Sequence, residues 1–191
     1  MTEILGVSGS LRANSCNTAL LRAATDLAAP DQRVTRWPGL ETIPPFNEDH
    51  EDAPGPAVAA MRTAVERCDA VLIATPEYNT TVPGQLKNAL DWLSRPTGNG
   101  PLAGKAVAVI GASQSAYGAR WSQQAVRHVL EACGAVLVGE PLCIPHCNTA
   151  FTAHQHLRDR QQRTSLARVL TELGQAPHAC GEPGLADRAT P

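Results

Sequence analysis

The first 28 residues constrain this chain most. An apolar run at 4–7 passes directly into a loop of glycine, hydroxyls and an arginine (Ser8, Gly9, Ser10, Arg12, Asn14, Ser15, Asn17). A helical pattern follows, with Leu20, Leu21, Ala24, Leu27 and Ala28 on one face. A buried strand that feeds a helix through such a loop is also an anion site. Backbone N–H groups of the loop form a nest, the helix behind it presents the positive end of its dipole, and the hydroxyls and Arg12 add further donors. A cation at a helix N-terminus is disfavoured by the dipole unless an anion sits there, which makes Arg12 the most telling residue of the set. Ser10, Ser15 and Asn17 also have a plainer reading as a helix cap after a tight turn.

Two familiar phosphate loops occupy the same position in a fold, and neither is written here. A Walker loop needs a lysine followed by Ser or Thr at the helix start, but the first lysine is Lys87, and the Gly104-Lys105 pair leads into Ala106 and a strand. The dinucleotide fingerprint needs three glycines at fixed spacing, whereas Gly6 and Gly9 are followed by Leu11 and Arg12. Serines and an arginine suit a terminal phosphomonoester, because Arg grips two of its oxygens at once.

The remaining chain alternates short strands with amphipathic helices. Strands are expected at 3–8, 32–37, 69–76, 105–112 and 135–140, and helices at 17–28, 57–67, from Pro83 through Leu93, 119–132 and 153–173. The run at 69–76 is continuously apolar, as in a parallel strand buried on both faces. The proline-rich segment 38–56 lacks periodicity and reads as a long loop pinned by Ile43 and Phe46, with the acidic run 48–52 as a solvated tip. Residues 174–191 are rich in Pro, Gly and Ala and read as a disordered tail behind one domain spanning 1–173. Right-handed crossovers then leave a doubly wound α/β fold with five parallel strands in the order 2-1-3-4-5. In such a sheet ligands bind beyond the carboxyl ends of the strands, between strands 1 and 3. The loops at 8–17, 76–79 and 111–120 should therefore converge on one ligand.

Composition excludes several classes. A net charge of −2 over 191 residues carries no nucleic-acid footprint. No stretch approaches the roughly 18 apolar residues of a membrane span, and the first strand begins too early for a signal peptide, so a cytoplasmic location is expected. The six cysteines contain no C-x-x-C pair and read as reduced structural thiols. The grouping of Cys143, His146, Cys147, His154 and His156 lacks paired ligand spacing, so no metal site is expected.

GSLRANSCN resembles the phosphate-binding signature of the NADPH-dependent FMN reductase family, and TPEYNTTVPGQLKNALDWLSR resembles that family's second signature. IPPFNED and GASQSAYGAR are similar to its loops after strands 2 and 4. The resemblance covers residues 3 to 173. It implies a flavodoxin-like fold, bound FMN, and two-electron reduction by NADPH or NADH followed by delivery to a small-molecule acceptor. Quinones, azo or nitro compounds, metals and free flavin are the acceptors implied, with ping-pong turnover and a homodimer or homotetramer.

Carried over residue by residue, Ser10, Arg12, Ser15 and Asn17 would hold the phosphate. Pro76, Glu77, Tyr78 and Asn79 would line the ring, and Ser113 and Gly118 would approach its edge. Glu77 also reads as a solvated loop charge, and Tyr78 as a packing aromatic. No catalytic side chain is implied, because the flavin N5 accepts and donates the hydride. Tyr117 departs from the family pattern, standing where a glycine is common. The helix bearing Leu86, Leu90 and Leu93 is a candidate dimer contact because Trp92 lies on it.

Two other readings compete. A flavodoxin-type electron carrier would share the sheet and the cofactor, but such carriers are commonly strongly acidic to suit basic partners. An NADP-binding module would use Arg36 for the 2′-phosphate, but it lacks the glycines.

Overall fold

Strands β3 (Ala70–Thr75) and β4 (Ala106–Ala112) are buried at every residue and form the centre of a parallel sheet. The computed structural model describes residues 1–176. Around this centre the chain runs through β1 (Thr2–Ser8), α1 (Cys16–Leu27), β2 (Gln32–Arg36) and α2 (Pro56–Arg67), with α3 (Gly84–Leu93) between β3 and β4. It continues through α4 (Arg120–Ala132), β5 (Val136–Leu137), β6 (Leu142–Ile144), α5 (Cys147–Ala150) and α6 (Arg160–Gln175). The strand order is β2-β1-β3-β4-β5, with β6 also paired to β4, and every pairing is parallel. This is the expected doubly wound order with one strand more.

Side chains alternate across the sheet, so each strand supplies two cores. Leu72 and Ala74 of β3 face α1 and α6, where Leu20, Leu21, Leu166, Leu170 and Leu173 close one cluster. Val71 and Ile73 face the other way, toward Val58, Met61, Leu86, Trp92, Val126 and Leu130 of α2, α3 and α4. Burying each such side chain contributes about 1.5–3 kcal/mol, so the two layers together hold the sheet between them.

The long segment after β2 is a fixed loop with two short 3₁₀ turns, Leu40–Thr42 and Glu48–His50. One face of α3 holds it. Gln85 Nε2 donates to the Leu40 and Ile43 carbonyls at 2.7 and 2.9 Å, and Trp92 Nε1 donates to the Pro44 carbonyl at 2.9 Å. Asn88 Nδ2 donates to the same Pro44 carbonyl, and its Oδ1 accepts from the Phe46 N–H. Trp92 is thus a core residue of this chain, packed edge-on against Phe46, which removes the reason for expecting a dimer contact there. The acidic tip is not simply solvated: Glu48 and Glu51 pair with Arg95 at 3.2 and 2.9 Å.

Two expectations at the C-terminal end are overturned. The strand expected at 135–140 is split. β5 lies against Ala106 and Val107, the chain turns out through Gly139 in a left-handed conformation (φ 69°) and Pro141, and β6 rejoins beside Ile110–Ala112. Proline has no N–H to give a ladder, so pairing stops there and resumes after it. The last helix starts at Arg160, not 153, because Gln155 is left-handed, Phe151 bridges Leu157, and Asp159 Oδ1 caps the helix by accepting from the Gln162 N–H at 2.8 Å. The domain boundary expected at 173 falls inside α6. The expected tail, from residue 177 onward, lies outside the described residues. Among the described residues no helix is long and apolar enough to cross a membrane.

The β6 strand depends on a glycine in the loop before α4. Gly118 has φ 58°, and a Cβ there would lie 2.7 Å from the Ile144 nitrogen and 2.8 Å from the Cys143 carbonyl carbon. Both are backbone atoms with little freedom to move. Gly118→Ala should lower the unfolding free energy by about 1–3 kcal/mol, measured by urea denaturation. An unchanged midpoint would show that β6 can give way.

Candidate functional site

The carboxyl ends of β1, β3 and β4 open on one cavity of about 280 Å³, walled by the three loops that follow them. Ser10, Arg12, Ser15 and Asn17 come from the first loop, Pro76, Glu77 and Tyr78 from the second, and Ser113, Gln114 and Ser115 from the third. A second lobe of about 300 Å³ shares Arg12, Ser15, Cys16, Gln114 and Cys147 with it and extends toward Arg22 and Asn148.

The first loop sits tightly on the second. The Gly9 N–H donates to the Ala74 carbonyl at 2.8 Å, and a Cβ on Gly9 would lie 2.8 Å from Leu86 Cδ2 and 3.2 Å from Pro76 Cδ. Ser15 is the cap of α1. Its Oγ accepts from the N–H groups of Asn17 and Thr18 at 3.1 and 3.4 Å, which leaves its own proton to donate into the cavity. The Ser10 hydroxyl accepts from the Arg12 N–H at 3.4 Å and is itself buried. The Arg12 side chain is exposed, and among the described residues no carboxylate pairs with it.

Asn17, expected at the phosphate, borders the cavity and also ties two elements together. Its Nδ2 donates to the Ala112 carbonyl at 3.0 Å and its Oδ1 accepts from the Ala112 N–H at 2.9 Å, so the carboxamide ties the start of α1 to the end of β4. It borders the cavity while its hydrogen bonds are made to the scaffold.

Glu77, which also lines the cavity, makes a scaffold contact as well. Helix α4 has a left-handed Ala119 in place of a capping side chain, and Glu77 Oε2 supplies the cap from outside, accepting from the N–H groups of Trp121 and Ser122 at 2.9 and 3.1 Å. A carboxylate at that dipole end is stabilising. Tyr78 stands half-exposed at the cavity mouth and opens a tight turn closed by hydrogen bonds to Thr81 in both directions. Asn79 and Thr80 form the tip of that turn with φ 51° and 60°, and Asn79 lies outside the cavity wall. Ser113 Oγ is 2.8 Å from Ser115 Oγ and accepts from the Ala119 N–H, while Gly118 packs on β6 away from the cavity. Tyr117 packs against Trp121 with the rings tilted by 57° and their centroids 4.6 Å apart.

The family model described as NADPH-dependent FMN reductase matches residues 2–149. The chain belongs to that family. It is 36% identical to an NAD(P)H-dependent FMN reductase of Pseudomonas aeruginosa over 90% of this chain and 92% of the relative. It is 36% identical to a quinone reductase of Escherichia coli K12 over 73% and 74% of the two chains. The flavoenzyme NAD(P)H:(acceptor) oxidoreductase FerB of Paracoccus denitrificans superposes with a TM-score of 0.82 at 28% identity, covering 91% of this chain and 98% of that one. Membership makes the chain an oxidoreductase with FMN as cofactor and NAD(P)H as electron donor.

The donor set of the cleft fits that cofactor. Two hydroxyls and a guanidinium without an acidic partner meet the needs of a phosphomonoester, Pro76 and Ala112 offer an apolar wall for a flat ring, and Ser113, Gln114 and Ser115 offer polar groups for its edge.

Five lining residues, Cys16, Ala112, Gln114, Ser115 and Cys147, are not among those the sequence singles out for the ligand, and Ala112 is simply the last residue of β4. Gln114 and Ser115 lie in a loop that was recognised as a whole, and Cys16 lies between two residues that were chosen. Cys147 had no local signal, because it follows β6, a three-residue strand that periodicity does not reveal. Burial pushes the Cys147 thiol up to about 12, its neighbour Cys16 adds to the rise, and Arg12 opposes it. Among the described residues no group of three or more Cys, His, Asp or Glu could hold a metal ion.

Removing the Asn17 carboxamide leaves the buried Ala112 N–H and carbonyl without these partners. Asn17→Ala should cost about 1–3 kcal/mol of stability in denaturant unfolding. A cost near zero would mean that Ala112 finds other partners and that the tie is dispensable.

Proposed function

We propose that this chain is an FMN-dependent NAD(P)H oxidoreductase that passes two electrons to a quinone-class acceptor, alternating donor and acceptor at one opening. The observation that carries the reading is the exposed Arg12 guanidinium at the start of α1, with no carboxylate partner among the described residues, beside the Ser10 and Ser15 hydroxyls. When bound, FMN supplies the hydride chemistry. The protein's part is to hold, orient and exclude water. Arg12, Ser10 and Ser15 bind the phosphate, with Arg12 gripping two oxygens and each serine hydroxyl donating its proton. Pro76 and Ala112 wall the ring, and Ser113, Gln114 and Ser115 orient its polar edge. Glu77 keeps the second and third loops at a fixed separation through its bonds to α4.

Tyr78 and the left-handed turn at Asn79 and Thr80 border the open side, where nicotinamide and acceptor take turns. The relatives named quinone reductase support a quinone as acceptor, and the absence of a second nucleotide motif in the sequence agrees with one shared opening. A flavodoxin-type carrier has less support, since it would not react with NADPH directly.

Arg12→Ala should weaken FMN binding by about 1.5–3 kcal/mol while leaving unfolding unchanged, as read by flavin fluorescence titration and urea denaturation. Unaltered affinity would remove Arg12 from the phosphate site. For the reaction, protein loaded with FMN should keep its flavin absorbance after desalting, lose it anaerobically on NADPH addition, and regain it on addition of a benzoquinone. Steady-state lines for NADPH and quinone should be parallel. Bands that NADPH cannot bleach would indicate a carrier, and intersecting lines would rule out alternation at one opening.

A further inference from the structure

We propose that the second lobe of the cleft is an adenylate site, so that the chain holds flavin adenine dinucleotide (FAD) as well as FMN. The inference rests on the proposed function, which puts a phosphate at Ser10, Arg12 and Ser15. A phosphomonoester ends at its phosphate and needs nothing beyond it, yet here the phosphate end is not closed. A lobe of about 300 Å³ continues from it, sharing Arg12, Ser15 and Gln114 with the first and taking no residue from the loop at 76–79 that borders the ring. Each lobe alone stands near the lower end of the roughly 300–1,000 Å³ that ligand sites occupy, and the two joined suit a dinucleotide.

The lobe is also cationic. The guanidiniums of Arg12 and Arg22 both line it, and no carboxylate does. Among the described residues Arg22 pairs with no acid. One of its N–H groups donates to Gln155 Oε1, and Asp26, one turn further along α1, is paired with His156 at 3.1 Å. A guanidinium has five N–H donors, so Arg22 is steadied by one bond and keeps donors for a ligand. A bridging diphosphate spreads its negative charge over two groups, which two separated guanidiniums match better than one.

Reach and shape assign the remaining groups. Arg22 lies two turns beyond the Ser15 cap, about 10 Å along α1 by the helical rise, and side chains on a helix lean toward its N-terminus, which brings the guanidinium back toward the phosphate end. Phe151 lines the same lobe from the residue after α5, partly buried against the core shared by α1 and α6. An adenine stacks on an aromatic ring or a guanidinium plane, and the exposed Asn148 offers a carboxamide to its edge. The second phosphate thus falls to Arg12 and Arg22, and the base to Phe151 and Asn148.

The test is equilibrium dialysis of the full chain, freed of flavin, against FMN and against FAD in separate series. In wild type the Kd for FAD should lie within about tenfold of that for FMN. Arg22→Ala should raise the Kd for FAD at least fivefold and leave that for FMN unchanged, the FMN series showing at the same time that the variant is folded. Asn148→Ala, on a different element, carries the same comparison should Arg22→Ala fail to fold. Wild-type FAD binding weaker than that limit would overturn the proposal. So would variants that bind FAD as wild type does, since the adenylate would then lie in solvent with only the flavin half held, and so would variants that weaken both flavins equally. Failure of wild type to bind either flavin would overturn the proposed function and this inference with it, whereas FMN bound with FAD excluded would overturn the adenylate site alone.

Discussion

The cleft depends on one pair of hydrogen bonds, those between the Asn17 carboxamide and both backbone groups of Ala112. α1 follows β1, and β1 is separated from β4 by β3, so nothing in the strand ladder itself sets the first loop against the third. Asn17 spans that gap. With its bonds made, the start of α1, the cap at Ser15 and the end of β4 form one rigid corner, and the phosphate loop is held open at a fixed distance from Ser113. A buried amide that satisfies both a donor and an acceptor is strongly directional, and displacement costs both bonds together. The residue that family resemblance places on the phosphate also positions the residues around it.

Glu77 plays a comparable part on the other side. Its carboxylate completes a helix whose own N-terminal residue cannot cap it, and so joins the loop after β3 to the loop after β4. Two signature residues expected as ligand contacts thus also tie the scaffold together. The groups left facing the cavity, the Ser10 and Ser15 hydroxyls and the Arg12 guanidinium, are those whose own bonds leave donors to spare. Such division of labour is a common solution where a binding surface must be polar yet rigid, because a side chain that both anchors a loop and binds a ligand must compromise one geometry for the other.

How much of this was legible in the sequence varies with the range of the interaction. The order of the sheet followed from local signals: a buried apolar run at β3, amphipathic helices between strands, and the handedness of crossovers. The anion loop was legible because its residues are neighbours in sequence. What escaped depended on partners far along the chain. Asn17 meets Ala112 and Glu77 meets Trp121, and no window of residues reveals such pairs. The end of the chain escaped for a different reason. Residues 153–158 have ordinary helix propensity, and only the cap at Asp159 and the left-handed Gln155 tell the true start of α6. The split of the last strand was announced by Gly139 and Pro141, but a three-residue strand such as β6 is too short for periodicity to register.

That split has a consequence for how the protein behaves among copies of itself. β5 and β6 form the outer border of the sheet beside β4, and a long uninterrupted border strand would present a row of free donors and acceptors on which an unfolded or foreign segment could grow. Here the row is two residues, then a left-handed turn with a proline, then three residues. The opposite border, β2, is guarded differently, by Arg33 and Arg36 exposed along five residues. Neither margin offers a straight template, so a sheet made of largely apolar strands is protected against fibrous self-association by a glycine and a proline at one side and by charge at the other.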